Sequence, residues 1–261
     1  MDRSFLSDES VVAASRNYVC VRAATYESEE EIPFLSSVFR GRSGALENTV
    51  FTLLAPDGKT KISRADRGPQ MAFSTSDNAQ IVKKLDVISK KHEVRNSETP
   101  DRLPFAADLR LGLNVAACDN QPLVICLAGD EESLRKIEKA LAKSAWSEKH
   151  IGLFHYVSSN KNELADTITG LTIDSGLVIV QPDQFGTKAA VLVQHAVGDS
   201  SKTLADTLDA ALAKFDRQPA GETRAHIQAG HRAGVHWDTA TPVTDPVTDP
   251  GRPPAGGQPP R

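Results

Sequence analysis

The segment Leu123-Val124-Ile125-Cys126-Leu127-Ala128-Gly129-Asp130-Glu131-Glu132-Ser133 joins an unbroken apolar run to an acidic turn. Five consecutive apolar residues predict a strand buried on both faces, because a strand with one wet face alternates polar and apolar positions. The carboxylates after it suit the start of a helix, where the backbone dipole favours negative charge. Glu131 to Ala145 continues as that helix, with Leu134, Ile137, Leu141 and Ala145 along one face. A doubly buried strand feeding an amphipathic helix predicts an α/β protein.

Outward from this pair, Asp108 to Cys118 predicts a preceding helix, Ile151 to Val157 a strand and Lys161 to Ile168 a helix. Gly176 to Val180 and Ala189 to His195 form two strands around the turn Pro182-Asp183-Gln184-Phe185-Gly186, and Lys202 to Phe215 is a closing helix. The first part of the chain shows the same order in shorter form. A helix runs from Asp8 to Ser15 with Ser7 as N-cap, a strand from Tyr18 to Thr25, and a helix from Glu29 to Phe39 with Pro33 in its first turn. Thr49 to Ala55 and Thr60 to Arg64 flank the turn Pro56-Asp57-Gly58. Ser76 or Asp77 then caps a helix carrying Ile81, Leu85 and Ile88 to about Lys91.

Two copies of one module account for this repetition. The expected divisions are a first module over 1–92, a linker over 93–107, a second module over 108–216 and a tail over 217–261. The tail holds 8 of the 15 prolines and 6 of the 17 glycines and includes the tandem Pro242-Val243-Thr244-Asp245-Pro246-Val247-Thr248-Asp249-Pro250, so it is expected to be extended or disordered.

The order βα, βα, ββα, with apolar strands running into Pro-Asp hairpin turns, resembles the thioredoxin fold. Val50-Phe51-Thr52-Leu53-Leu54-Ala55-Pro56-Asp57-Gly58-Lys59 resembles that family's hairpin, and the run from Asp119 to Ala128 resembles the strand leading to its C-x-x-C. The resemblance implies two tandem thioredoxin-like modules, the first lacking its N-terminal strand. It also implies a degenerate active site, because Asp130, Glu131, Glu132 and Ser133 stand where the dithiol would be. Carboxylates cannot perform thiol–disulfide exchange, and the absence of C-x-x-C argues against dithiol oxidoreductase activity. The gap left by the missing strand is expected to be closed by direct pairing around Cys20 and Val50, or by a strand from elsewhere.

The 261 residues carry 30 Lys and Arg against 34 Asp and Glu, without the basic footprint of a nucleic-acid binder. No apolar run approaches membrane-spanning length and no signal-peptide pattern opens the chain, so a cytoplasmic location is expected. Cys20, Cys118 and Cys126 form neither a disulfide framework nor a four-thiolate zinc site. Cys20 and Cys126 lie in apolar runs and are expected to be buried, which leaves Cys118 as the candidate reactive thiol. His226, His231 and His236 recur every five residues and raise metal binding, but that step places them on different faces of a helix. Val235, His236 and Trp237 read instead as a partner-docking anchor. Glu27 to Glu31 reads as a solvated helix start, and Arg40 and Arg42 in a Gly-containing loop as a polar loop with room for an anion contact. No cofactor is implied.

The leading functional expectation is a redox-inactive interaction protein, a subunit or accessory factor that docks protein partners within a larger complex or homo-oligomer. The alternatives are a thiol-redox protein using a single cysteine and a metal-handling protein using the tail histidines.

Overall fold

The computed structural model describes residues 5–41, 44–48, 50–92, 100–201, 203–218, 222–236 and 239–244. The fold is mixed α/β and divides into two compact units, Met1–Asn96 with Trp237–Arg261, and Ser97–His236. Among the described residues no helix is long and apolar enough to cross a membrane.

In the first unit, α1 (Glu9–Ser15) is capped by Asp8 rather than Ser7. The Asp8 carboxylate accepts the backbone N–H of Ser10 at 3.0 Å and of Val11 at 3.2 Å, satisfying two of the donors a helix start leaves open. The strand expected over Tyr18 to Thr25 does not form, and Val19 and Val21 are 93% and 82% exposed. β-Branched residues favour a strand only when a ladder and a buried face reward them, and no ladder forms over this stretch. Cys20 is accordingly exposed, not buried.

After α2 (Ile32–Val38), the two arms expected at Thr49 to Ala55 and Thr60 to Arg64 shrink to isolated antiparallel bridges, Phe51 to Asp66 and Leu54 to Lys61. Thr49 itself lies outside the described residues. The turn between them is held as its sequence dictates. Asp57 accepts the N–H groups of Lys59 and Thr60, each at 2.8 Å, and the Thr60 hydroxyl at 2.6 Å, and these bonds draw its carboxyl down to about 2. Two helices follow, α3 (Pro69–Phe73) and α4 (Asn78–Lys91), the latter capped by Asp77. Phe5, Val11, Phe73, Ile81 and Leu85 form the core, with the Phe51 ring 5.9 Å from that of Phe5 and 6.0 Å from that of Phe73.

The second unit opens with α5 (Leu109–Asp119), β1 (Leu123–Leu127) and α6 (Glu131–Ala145), then β2 (His155–Ser159) and α7 (Lys161–Leu164). β3 (Ile168–Thr169), β4 (Gly176–Pro182), β5 (Ala189–Ala196), α8 (Leu204–Lys214) and α9 (Thr223–Arg232) complete it. The sheet order is β2-β1-β4-β5-β3. β1 runs parallel to β2 and antiparallel to β4, and β5 runs antiparallel to β4 and parallel to β3.

Strand alternation divides the core in two. Val124, Cys126, Leu177 and Ile179 pack with Leu141 of α6 and Leu208 of α8. Leu123, Ile125, Val178 and Val180 pack with Leu113 of α5 and Leu164 of α7. β2 begins at His155 rather than Ile151, because Ile151 is half exposed and Gly152, at φ +75°, turns the chain before the ladder starts.

Residues 102–106, within the stretch read as a linker, are bound into this unit. Glu138 of α6, almost fully buried, accepts the Leu103 N–H at 2.9 Å and pairs with Arg102 at 3.1 Å, while Ala106 donates to the Tyr156 carbonyl at 2.8 Å. Part of the tail is likewise structured. Gln181 and Asn120 clasp the chain after α8: each side-chain amide donates to and accepts from one backbone unit, Asp216 and Gln218 respectively. α9 itself stands where extended chain was expected.

The β4–β5 turn reproduces the Asp57 device. Asp183 accepts the Thr187 N–H at 2.7 Å and its hydroxyl at 2.8 Å. Gly186 adopts φ +65°, and a Cβ there would lie 2.5 Å from Asn114 Cα and 2.8 Å from the Leu113 carbonyl oxygen. Gly58 has a similar φ but open space around it. Gly186→Ala therefore combines left-handed strain with a backbone clash and is expected to cost about 2–4 kcal/mol, against about 1 kcal/mol for Gly58→Ala. Urea unfolding of both variants measures the difference.

Candidate functional site

In open α/β sheets, ligands are held where parallel strands end and the chain turns into helices. Here the carboxyl ends of β1 and β2 border a cavity of about 400 Å³ lined by Ala128, Gly129, Asn160, Lys161, Asn162 and Asp174. Asp130, which follows the lining residue Gly129, caps α6, accepting the Ser133 N–H and hydroxyl, both at 2.8 Å. These two bonds, the backbone one foremost, hold the Asp130 carboxyl below its usual range. Glu131 pairs with Arg135, and Glu132 with Lys136 at 2.7 Å, one helical turn on. Across the cavity, Asn160 caps α7 and Lys161 is bridged to Asp174.

The four residues singled out at this position are thus brought together, and their polar atoms serve the helix itself. The Ser133 hydroxyl donates to a carboxylate that is itself the helix cap. No thiol stands at the rim. Cys126, four residues upstream, is fully buried in β1, and burial, followed by the Glu138 charge, pushes its thiol up to about 12. The thiolate needed for exchange does not form there near neutral pH. Cys118 is exposed, in the last turn of α5.

The tail residues are distributed differently. His226 lies on α9 with its ring 5.2 Å from that of Phe185, and His231 lies in the last turn. Gly230 is buried against Phe185, and the Val235 N–H closes the helix on the Gly230 carbonyl at 2.9 Å. Val235 is half-buried and His236 exposed, while Trp237 lies outside the described residues. Among the described residues no three His, Cys, Asp or Glu side chains gather as a metal ion would require. In the first unit, Arg40 donates to the Ser36 carbonyl at 3.3 Å and the Glu47 side chain occupies the space over Gly41; Arg42 lies outside the described residues.

One constellation escapes sequence reading altogether. Ser147, His150 and Asp209 meet at the end of α6, with Ser147 Oγ 3.1 Å from His150 Nδ1 and His150 Nε2 2.9 Å from Asp209 Oδ1. Residue types and contacts resemble a nucleophile, base and orienting acid, but the roles fail. The Ser147 hydroxyl donates to the Ser144 carbonyl at 2.7 Å, and the same carbonyl stands 3.1 Å from His150 Nδ1. A base already engaged by a backbone carbonyl, behind a ring only 2% exposed, cannot take a proton from Ser147. The cluster is a clasp, with Lys149 adding a 2.6 Å pair to Asp209 and so tying the end of α6 to α8. Only the wide sequence separation of Asp209 from the other two concealed it.

Neither a family model, nor a curated protein, nor a solved structure matches this chain.

The bonds from Lys149, then His150, lower the Asp209 carboxyl below its ordinary 3.8. A carboxyl depressed in the folded state stabilises the fold above the unfolded value and loses that contribution as pH falls toward the folded one. Stability is therefore expected to drop below about pH 4 in the native chain. In Asp209→Asn it should be lower at pH 7 and flatter across the acid range. Chemical unfolding at pH 7, 4 and 3 reads both effects.

Proposed function

We propose that the chain is a non-catalytic interaction protein on a thioredoxin-like scaffold, a subunit or accessory factor that docks protein partners through its modules and tail. The single observation carrying this reading is the junction of β1 and α6. Where such a scaffold would present a dithiol, Asp130 and Ser133 close a helix cap on each other, and the nearest sulfur is buried and protonated.

The order of elements along the second unit supports the scaffold reading. β1-α6, β2-α7, then the β4–β5 hairpin and α8 follow the βα, βα, ββα order of the resemblance, with the short β3 added beside β5 at the sheet edge. The shared turn device, Asp57 with Thr60 and Asp183 with Thr187, each followed by a capped helix, supports treating the first unit as a reduced copy. Among the described residues of this unit the hairpin arms meet in isolated bridges rather than a continuous ladder.

The native chain is expected to show no turnover in an insulin-reduction assay, with Cys118→Ser indistinguishable from it. Asp130→Cys combined with Ser133→Cys restores two thiols three residues apart at a helix N-terminus, where the dipole lowers the first thiol's pKa. This variant should form an internal disulfide and reduce insulin measurably. Turnover by the native chain that Cys118→Ser abolishes would establish the single-cysteine reading instead. Failure of the double variant to form the disulfide would remove the scaffold reading.

A further inference from the structure

The first unit carries a groove of about 490 Å³ between the second hairpin arm, α3 and α4. Its floor is apolar, formed by Ile62, Phe73, Val87 and Ile88, and Val87 is 55% exposed. Its rim is cationic. Arg64, Lys83 and Lys84 line it, and among the described residues no acidic side chain does. Lys84 also donates to the Phe73 carbonyl at 2.7 Å, and Arg64 pairs at 2.8 Å with the nearly buried Asp66. An apolar floor within a basic rim fits a short segment that carries carboxylates on either side of an aliphatic residue.

The chain itself supplies such a segment, tethered to the same unit. Thr241, 4% exposed, donates its N–H at 2.9 Å and its hydroxyl at 3.1 Å to the Tyr26 carbonyl. Thr244 donates to the Leu46 carbonyl at 2.6 Å. The first Pro-Val-Thr of the tandem repeat is thus anchored, and the sequence continues as Asp245-Pro246-Val247-Thr248-Asp249-Pro250. A chain of neighbours and contacts links the anchor to the rim. Leu46 adjoins Glu47, Glu47 is ion-paired to Arg67, and Arg67 follows Arg64 by three residues. Six extended residues reach about 20 Å, and the chain runs on to Arg261, so length does not limit the approach.

From charge complementarity and this tether we infer that the groove is the docking site of the chain's own Asp245–Pro250 segment. Docked so, the segment would bring the carboxylates of Asp245 and Asp249 to the rim cations and the aliphatic Val247 to the apolar floor. Tethering gives the segment an effective concentration on the order of 1 mM, so even a separate peptide with a Kd of about 0.1 mM would be held off about tenfold in the intact chain. A partner segment of the same acidic-aliphatic pattern would have to displace the tail.

The test uses a fluorescein-labelled synthetic peptide with the sequence of Thr244 to Gly251, the full chain, and the chain ending at Thr244. The peptide should bind the shortened chain saturably, shift the amide resonances of Phe73, Lys83 and Val87, and bind the full chain about tenfold more weakly. In the full chain, Asp245→Asn with Asp249→Asn should restore the affinity of the shortened form. In the shortened chain, Lys83→Glu and, separately, Val87→Asp should each weaken binding about tenfold. Both positions are exposed, so retained α4 resonances report that the fold survives. No saturable binding to the shortened chain, equal affinity for both chains, shifts confined to other residues, or groove resonances that change on dilution as a second copy departs would each overturn the assignment.

Discussion

The burial of Leu123–Leu127 from both sides is the constraint on which the second unit depends. β1 is paired on both edges, parallel to β2 and antiparallel to β4, and all five of its side chains are inaccessible. Side chains of this size contribute about 1.5–3 kcal/mol each when fully buried. That gain requires helices on both faces, which α5 and α7 supply on one and α6 and α8 on the other. A strand so enclosed fixes where its carboxyl end must emerge and hence where α6 must start. The acidic turn is placed by this burial and not by any property of its own.

A second theme runs through both units. Short carboxylates are spent on backbone donors. Asp8, Asp77, Asp108 and Asp130 cap helices, and Asp57 and Asp183 close hairpin turns. Each captures an N–H group that would otherwise be orphaned, and Asp130, Asp57 and Asp183 add a neighbouring hydroxyl. An acidic cluster that looks reactive in sequence is thereby largely occupied in the fold. The same logic removes Ser147 from chemistry, since a backbone carbonyl claims its hydroxyl.

The tail shows how a Pro- and Gly-rich segment contributes to a fold without a core of its own. Its described stretches include polar contacts to groups presented elsewhere: the Tyr26 and Leu46 carbonyls in the first unit, and the Asn120 amide in the second. Its described helix, α9, buries Gly230 against the Phe185 ring, where a Cβ would lie 3.5 Å from the nearest ring carbon, an ordinary contact distance. The glycines lower the helix propensity of this stretch, so its sequence favours extended chain, and the helix forms nonetheless.

The sequence by itself determined β1, α6 and α8, where uninterrupted apolar runs or a 3.6-residue period leave one reading, and both Pro-Asp turns, where the carboxylate and its acceptor-seeking neighbours act within a few residues. Local energetics suffice for such elements. Tertiary structure decided the rest. Tyr18 to Thr25 has the composition of a strand and remains unladdered, because a ladder needs a partner that composition cannot provide. Residues 102–106 look like linker and are gripped by Glu138, a residue far along the chain. The clasp of His150 and Asp209 likewise joins positions that only packing brings together. Short-range hydrogen bonds and periodic burial are written into neighbouring residues, whereas pairing across the fold depends on which surfaces are left once those local elements have formed.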